Sequence, residues 1–280
     1  MEENTVLLGN KKTDKHMPDS KPIKYILECL SDIGISRNSN QDACCARIIC
    51  RNDQTIVMAA VCDGVGGLAD GEYASRSTIQ LLNNWFDFFL INMVMESSED
   101  TIVDVVSQKL HETICEQNRI LYEYGCNNGV KLGTTLTMVL FLGNQYLIAQ
   151  VGDSRAYCIK NEIKQLTDDQ SLVAREVREG RLRPEEAITD PRRNVILQCL
   201  GGQENILPVY QKGQIEESAI YLLCTDGFTH KLNEKELEEI MSAQELVDRT
   251  TIRRAMMEGI ECVKRRGEKD NITVVAVKTM

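Results

Sequence analysis

The sequence predicts an α+β fold in which antiparallel β-sheets carry helices on their outer faces. Short strand-like segments are separated by tight turns, two long helical patterns divide them into two blocks, and a further helical region precedes a final strand. Turns this short join antiparallel neighbours, whereas parallel strands need long crossover connections. A chain of 280 residues with 42% hydrophobic content can bury one substantial core.

The first elements are three strands that follow a polar N-terminal segment. Residues 1–22 are polar and charged without a sustained apolar period, which predicts a loosely ordered extension. Residues 23–280 are expected to form the folded domain. Its first strands are predicted at Tyr25 to Leu30, Ala43 to Cys50 and Thr55 to Cys62.

Two long helices are predicted next. Apolar residues recur at helical spacing from Glu72 to about Met95 and from Thr101 to Tyr124, and Gly125 is expected to end the second helix.

A second block of strands and a final helical region complete the fold. Ser171 to Gly202 is a mixed segment, with one short helix ended by Gly180 and another begun at Pro184. Helices are predicted between Asn233 and about Gly267. The strands of this half are predicted at Thr134 to Leu142, Tyr146 to Val151, Arg155 to Ile159, Ile163 to Leu166, Ala219 to Cys224 and Ile272 to Lys278.

Charge and hydropathy exclude several kinds of partner. A net charge of −10 and a pI near 5.0 provide no basic surface for a phosphate backbone, so nucleic acid is not expected as a partner. No apolar stretch reaches the roughly 20 residues that span a bilayer, and the first residues are acidic without an apolar signal core. The expected location is the cytoplasm, without a membrane partner.

The 11 cysteines do not form a recognisable metal or redox pattern. Their number is odd, they are spread from Cys29 to Cys262, and no Cys-x-x-Cys pair occurs. Most are expected to be reduced core residues, because a free cysteine packs like a small hydrophobe.

Five aspartates at predicted strand ends are the candidate functional residues. Asp63 and Asp226 each follow a buried strand and precede a glycine, which lets the backbone bend and leaves a carbonyl oxygen available. Asp270 precedes the last strand, while Asp42 and Asp153 lie at other strand boundaries.

Clustered carboxylates repel one another and therefore imply raised pKa values or bound cations. Oxygen ligands favour Mg²⁺ or Mn²⁺, whereas zinc would require the His and Cys that these segments lack. Each Asp-Gly pair taken alone is compatible with an ordinary turn, but five such segments together favour a shared site.

These segments resemble the metal-dependent protein phosphatases of type 2C, in particular their compact bacterial members. The resemblance extends in family order from about Tyr25 to Val277. It rests on RNSNQDA (37–43), VCDGVGG (61–67), GEYAS (71–75), GTT (133–135), VGDSRAY (151–157), LTDDQS (166–171), LCTDG (223–227) and DNITV (270–274).

The resemblance implies a four-layer αββα sandwich and a site for two tightly bound Mn²⁺ or Mg²⁺ ions. Asp63 would bridge the ions, with the Gly64 carbonyl on one and Asp226 and Asp270 on the other. Asp153 would ligate a weaker third ion.

The implied reaction is hydrolysis of phosphoserine and phosphothreonine in proteins by a hydroxide that bridges the two metals. Arg37 would bind the phosphate, and Asp42 would act through metal-bound water. Eukaryotic relatives have a histidine two residues after the bridging aspartate, where this chain has Val65. The expected partners are phosphoproteins, including a Ser/Thr kinase, and the expected state is a monomer. Residues 171–202 would form the variable flap beside the site.

Two residues depart from the family pattern. Gln41 replaces a common glutamate and removes one carboxylate near the first metal. His230 replaces an aspartate that relatives often have four positions after Asp226, which predicts a weaker third metal site and leaves the central pair intact.

Alternative functions remain open from the sequence. A pseudophosphatase would keep the fold as a phosphoprotein-binding module, and a small-molecule phosphatase would share the metal site. Gly64-x-Gly66-x-x-Ala69 fits a dinucleotide fingerprint, but Asp63 and Asp70 would face the pyrophosphate. Cys45 and Arg51 have the spacing of cysteine-dependent phosphatases, but no glycine between them could build a phosphate cradle.

Overall fold

The computed structural model describes residues 23–51, 54–66, 68–90, 92 and 102–280. The extension predicted for residues 1–22 lies outside this part of the chain, as does the predicted helix end at Met95.

Two five-stranded antiparallel sheets form the centre of the molecule. The first sheet has the strand order β1-β12-β11-β8-β9 and the second β10-β7-β6-β3-β2, while β4 and β5 form a separate short pair. The strands are β1 (Tyr25–Asp32), β2 (Ala43–Arg51), β3 (Gln54–Cys62), β4 (Gly64–Gly66), β5 (Leu132–Thr134), β6 (Leu136–Leu142), β7 (Gln145–Val151), β8 (Arg155–Ile159), β9 (Ile163–Gln165), β10 (Val209–Gln214), β11 (Ile220–Cys224) and β12 (Ile272–Thr279).

Two long helices lie beside the second sheet, and shorter helices lie near the first. A π-helical turn, Phe86–Leu90, continues the first helix. The helices are α1 (Leu68–Trp85), α2 (Ile102–Asn128), α3 (Leu172–Arg178), α4 (Pro184–Ala187), α5 (Asp226–Thr229), α6 (Glu234–Ile240) and α7 (Arg249–Arg265).

Three apolar clusters separate four layers and confirm the predicted αββα sandwich. One cluster packs α1 and α2 against the second sheet, with Leu82 and Leu110 among its buried residues. A middle cluster fills the space between the sheets and contains Val61 and Val275. The third packs α7 against the first sheet through residues such as Met256. Alternate residues of β3 and β6 supply two clusters, because side chains alternate between the faces of a strand.

The predicted end of α2 at Tyr124 is wrong. The helix continues to Asn128, and Gly129, with φ of +65°, follows its end. Gly125 instead allows close packing, since a Cβ at this position would lie 2.9 Å from the Val130 carbonyl oxygen. The first long helix also begins earlier than predicted, at Leu68.

The structure contains strands that the sequence analysis did not predict. Strand β10 has mixed polar residues without clear alternation, and it pairs along the edge of the second sheet with β7. Strand β4 contains Gly64 to Gly66, the residues of the dinucleotide-like segment. Gly64 and Gly66 are themselves strand residues paired with β5, whereas the fingerprint requires them in the turn between a strand and a helix, so that interpretation is excluded.

Candidate metal centre

The antiparallel register brings the aspartate segments to one end of the sandwich. Ala43, the first residue of β2, pairs with Cys62, the last residue of β3. Asp42 and Asp63 therefore lie at the same end of the second sheet. Cys224 pairs with Val274, which places the segments of Asp226 and Asp270 at the same end of the first sheet. The fold therefore gathers carboxylates that are up to 228 positions apart in sequence, the difference between residues 270 and 42.

The backbone of Asp63 is fixed by hydrogen bonds with Thr134, the last residue of β5, and with Thr135, which follows it. Its amide donates to the Thr135 hydroxyl at 2.9 Å, and its carbonyl accepts from the Thr135 amide and the Thr134 hydroxyl, each at 2.9 Å. Burial raises the pKa of Asp63 well above its usual range, and the charges of Asp42 and Asp226 raise it further. The side chain thus lies among like charges with a backbone that cannot easily move away.

Asp226 begins α5 and faces Asp63. Burial raises the pKa of Asp226, while its interaction with the Asp63 carboxyl group acts in the opposite direction. Its Oδ1 atom is buried and has no hydrogen-bond partner. A buried carboxylate oxygen without a partner is costly, and a cation would compensate for that cost.

Asp270 forms a two-pronged ion pair with Arg37. The Nε atom of Arg37 donates to Oδ1 at 3.0 Å, and Nη2 donates to Oδ2 at 2.8 Å. The adjacent Asn271 holds the segment that carries Arg37, because its side-chain nitrogen Nδ2 donates to the carbonyls of Ile33 and Ser39 at 2.9 and 3.1 Å. The structure therefore joins Arg37 to the end of the first sheet through two neighbouring residues.

Gly64 is too closely packed for any side chain. A Cβ atom would lie 2.4 Å from the Gly71 carbonyl oxygen and 2.5 Å from that of Gln41. A Cβ at Gly71 would in turn approach the side-chain nitrogen of Gln41 to 2.7 Å. Two glycines therefore let the start of β4, the start of α1 and Gln41 meet beside Asp63.

Asp42 is a buried carboxyl group held by threonines. The Thr225 hydroxyl donates to Oδ2 at 2.9 Å, and Asp42 is 6% exposed. Burial raises the pKa of Asp42 to about 7, although hydrogen bonds from Thr273 and Thr225 act in the opposite direction. Asp42 can therefore gain or lose a proton near neutral pH.

Asp153 and His230 lie on the flap side of Asp226. They line a cavity of about 800 Å³ between residues 168–193 and residues 226–236, together with Arg178 and Arg193. Burial, followed by the charge of Asp226, raises the pKa of Asp153 to about 7.

His230 bridges two carboxylates. Its Nε2 atom is 3.3 Å from Asp226 Oδ2, and its Nδ1 atom is 3.6 Å from Glu268 Oε2. Burial acts to lower the pKa of His230, but the hydrogen bond with Glu268 and the charge of Asp226 outweigh it and raise the pKa overall. The ring of His230 is thus placed where its protonated form would partly offset the charge of Asp226.

The donor set fits hard divalent cations. The unpaired Oδ1 of Asp226, the raised pKa of Asp63 and the oxygen chemistry of the cluster all favour Mg²⁺ or Mn²⁺. As the side chains stand in the described part of the chain, no three His, Cys, Asp or Glu residues form a ready-made ligand group. Asp270 is instead paired with Arg37, so metal binding by Asp270 would compete with that ion pair.

Comparison with known proteins identifies the family. The model of the family "Protein phosphatase 2C" matches residues 35–265, more than half of the chain. The chain belongs to the protein phosphatase 2C family. This confirms the resemblance drawn from the sequence segments, and Mn²⁺ or Mg²⁺ are the metals that these phosphatases use.

Relatives of this 2C phosphatase include bacterial proteins of similar length. It is 32% identical over 231 residues to the serine/threonine phosphatase stp of Listeria monocytogenes, which covers 81% of this chain and 86% of the relative. It is 31% identical over 255 residues to the protein phosphatase PhpP of Streptococcus pneumoniae, covering 90% and 96% of the two chains.

Solved structures of 2C phosphatases share the fold. The Streptococcus agalactiae serine/threonine phosphatase superposes with a TM-score of 0.78 at 28% identity, covering 91% of this chain and 99% of that one. The catalytic domain of the phosphatase PstP, determined in complex with two manganese ions, gives 0.74 at 28% identity and covers 92% and 99%.

The sequence analysis missed several residues that shape the centre. Glu268 accepts hydrogen bonds from the amides of Lys269 and Asp270 at 2.8 and 3.0 Å and contacts His230. Asn271 and Thr135 hold the backbone around Asp270 and Asp63. The available signals were that Asn271 and Thr135 lie within the DNITV and GTT segments and that Glu268 lies two residues before Asp270. Cys45, by contrast, is 8% exposed within the helix-side core, which argues against its use as a phosphatase nucleophile.

In chelator, the free energy of unfolding is expected to fall as the pH rises from about 5.5 to 8. The folded-state pKa values of Asp42 and Asp153 are raised to about 7. Their stabilising contribution is therefore complete below the unfolded value near 3.8 and is lost as the pH rises through about 7. The loss should be on the order of 2 kcal/mol per group.

Thermal unfolding in EDTA at pH 5.5 and at pH 8 measures how the free energy of unfolding changes with pH. Asp42→Asn should flatten this dependence, and saturating Mn²⁺ should reverse it because the ions take the place of protons. An unfolding temperature that increases from pH 5.5 to 8 in EDTA would contradict the assignment of these buried carboxyls.

His230→Asp is expected to tighten the weakest metal site. The substitution replaces an imidazole ring beside Asp226 with a carboxylate, and hard cations prefer oxygen ligands. Calorimetric titration with Mn²⁺ should show a weaker third site in the wild type and a stronger one in the variant. Asp153→Ala should lower turnover without emptying the two central sites. Three equally tight sites in the wild type would show that His230 does not control the third.

Proposed function

We propose that this chain hydrolyses phosphoserine and phosphothreonine residues of proteins, with two Mn²⁺ or Mg²⁺ ions held by Asp63, the Gly64 carbonyl, Asp226 and Asp270. The observation that carries the proposal is the buried oxygen of Asp226 that has no hydrogen-bond partner. It lies beside the carboxyl group of Asp63, whose pKa is raised well above its usual range. The two manganese ions of the structurally similar PstP domain and the names of the relatives support it.

When bound, the metal ions supply a nucleophile at neutral pH by lowering the pKa of water, and they offset charge on the phosphoryl group. Arg37 orients that group. Its guanidinium is 49% exposed at the rim, and its planar fork can bind two phosphoryl oxygens as it binds the two oxygens of Asp270 here. The phosphate of the substrate would then replace Asp270 as the partner of Arg37.

Asp42 is proposed to hold and release a proton. It lies buried behind the rim, and Thr225 orients its carboxyl group. A group with a pKa near neutral is well suited to proton transfer at physiological pH, and here the proton would travel through water to the leaving serine or threonine oxygen. No histidine occupies position 65, since this residue is Val65.

The cavity beside Asp226 is proposed to receive the protein segment that flanks the phosphorylated residue. It has residues 171–193 as one wall, and Ile188 and Arg193 face it from the flap. Asp153 also lines this cavity, and a weaker third ion would bind there. A cavity of about 800 Å³ can hold several side chains of an extended peptide.

The wider cellular role is also part of the proposal. Residues 23–280 would form the catalytic domain and residues 1–22 an extension. The phosphatase would act as a cytoplasmic monomer on phosphoproteins that include a Ser/Thr kinase. Among the described helices, none has both the length and the apolar character that crossing a bilayer requires.

Phosphate release from matched substrates tests this function. The Mn²⁺-loaded protein should hydrolyse a phosphothreonine peptide at least about tenfold faster, in kcat/KM, than the phosphotyrosine version or a sugar phosphate. Faster hydrolysis of the sugar phosphate than of the phosphothreonine peptide would identify a small-molecule phosphatase. Tight phosphopeptide binding without hydrolysis would identify a pseudophosphatase.

A further inference from the structure

Cys29 and Cys44 are two thiols that the phosphatase chemistry does not use. Cys29 lies on β1 and Cys44 on β2, which are edge strands of the two different sheets. Both side chains pack against the cluster between the sheets, where β1 and β2 are in contact with each other. The two thiols also interact, which raises the pKa of Cys29 and lowers that of Cys44. Neither residue is fully buried, in contrast to Cys45.

The neighbouring Cys45 provides a contrast within the same strand. Side chains alternate along β2, so Cys45 faces the helix-side core instead of the space between the sheets. It is 8% exposed and has no access to Cys29 from that face. Of these two neighbouring cysteines, Cys44 therefore lies on the face of β2 directed towards Cys29, and Cys45 does not.

We propose that Cys29 and Cys44 are a thiol–disulfide site that is oxidised by low-molecular-weight disulfides such as oxidised glutathione. One cysteine thiolate attacks the glutathione disulfide, forms a mixed disulfide and releases one glutathione. The second thiolate attacks the cysteine sulfur of the mixed disulfide, and the bond to glutathione breaks. The two cysteines lose two electrons in total, and the products are one protein disulfide and two glutathione thiols that carry the two protons.

The disulfide would tie together both ends of the segment that carries Arg37. Residues 30–43 lie between the two cysteines and include Arg37, Gln41 and Asp42. This segment is now held by hydrogen bonds, such as that from the Gln41 amide to Asn271 Oδ1 at 2.9 Å. A covalent link between β1 and β2 would add a constraint that joins the edges of the two sheets. The site does not depend on the proposed activity.

Peptide mapping of the folded protein after treatment with oxidised glutathione tests the proposal. Tryptic cleavage at Lys24, Arg37 and Arg47 yields one peptide with Cys29 and another with Cys44 and Cys45. Under non-reducing conditions the two peptides should be recovered as one species, lighter by two hydrogens than their sum. Fragmentation of that species should assign the bond to Cys44, and dithiothreitol should separate the peptides.

Two alanine variants from the same strand provide the matched comparison. Cys44→Ala should abolish the linked species, whereas Cys45→Ala should retain it. The linked wild type should unfold at a temperature higher by roughly 5 °C, because the disulfide restricts the unfolded chain. It should also exchange the amides of residues 33–41 more slowly. Absence of the linked species, a bond to Cys45, or a link that persists in Cys44→Ala would overturn the proposal. The peptide map of the wild-type protein tests the proposal by itself, even if one of the variants does not fold.

Discussion

Asp63→Asn is expected to reduce kcat by several orders of magnitude while the fold persists. The amide keeps the size of the side chain but removes the negative charge proposed to serve both metals, so metal affinity and turnover fall together. The backbone bonds from Thr134 and Thr135 do not involve the carboxyl group and should remain. Because the variant replaces a carboxyl group whose ionisation is opposed by burial and by the charges of Asp42 and Asp226, it should unfold in EDTA at pH 8 no earlier than the wild type.

Asp104→Asn is the matched control for this substitution. Asp104 is 78% exposed on α2 and pairs with Lys212, away from the metal centre. Its variant should keep the kcat and the Mn²⁺ affinity of the wild type. A discontinuous assay of phosphate release measures kcat, and calorimetric titration measures the affinity for Mn²⁺. Near-normal turnover of Asp63→Asn would show that Asp63 does not bridge the metals.

Arg37→Ala is expected to lower kcat/KM for a phosphothreonine peptide by about 100-fold without loss of metal. The variant removes a two-pronged contact with phosphoryl oxygens, and such charge-assisted pairs are among the strongest hydrogen bonds in proteins. Arg37→Lys should recover only part of the loss, since an ammonium group cannot reproduce the planar fork. Metal binding should be retained or tightened, because Asp270 no longer has Arg37 as a competing partner.

Arg47→Ala separates this effect from the general loss of an arginine. Arg47 lies on β2 and pairs with Asp87 at the end of the first long helix. Its variant should resemble the wild type in kcat/KM. If Arg37→Ala instead lost Mn²⁺ and kept its peptide KM, Arg37 would be a support for Asp270 and not a phosphate ligand.

The sheets and the main carboxylates could be predicted because their signals are local. Strand β3 is a continuous apolar run that ends at Asp63, and β12 is a similar run that begins just after Asp270. Antiparallel order then follows from the short turns between strands. The end of α2 could not be predicted in the same way. Gly125 resembles a helix stop in sequence, and only its close approach to the Val130 carbonyl oxygen shows that this glycine serves packing instead of ending the helix.

Contacts within the centre depend on register, which the sequence does not show. Arg37 meets Asp270 because Asp32 pairs with Ile272 and Asn271 anchors the intervening segment. Glu268 reaches His230 because Gly267, with φ of +78°, turns the chain between α7 and β12. The facing of Cys29 and Cys44 likewise requires the two sheets to be stacked, and neither residue has a spacing that predicts it.

The most direct measurement is phosphate release from a phosphothreonine peptide by one preparation of the wild-type protein, first in EDTA and then after Mn²⁺ is restored in excess. A metal centre at Asp63, Asp226 and Asp270 predicts no turnover above background in EDTA and full recovery with Mn²⁺. The same cycle with Asp63→Asn should recover almost none. Undiminished hydrolysis in EDTA by the wild type would contradict metal-dependent catalysis at these aspartates.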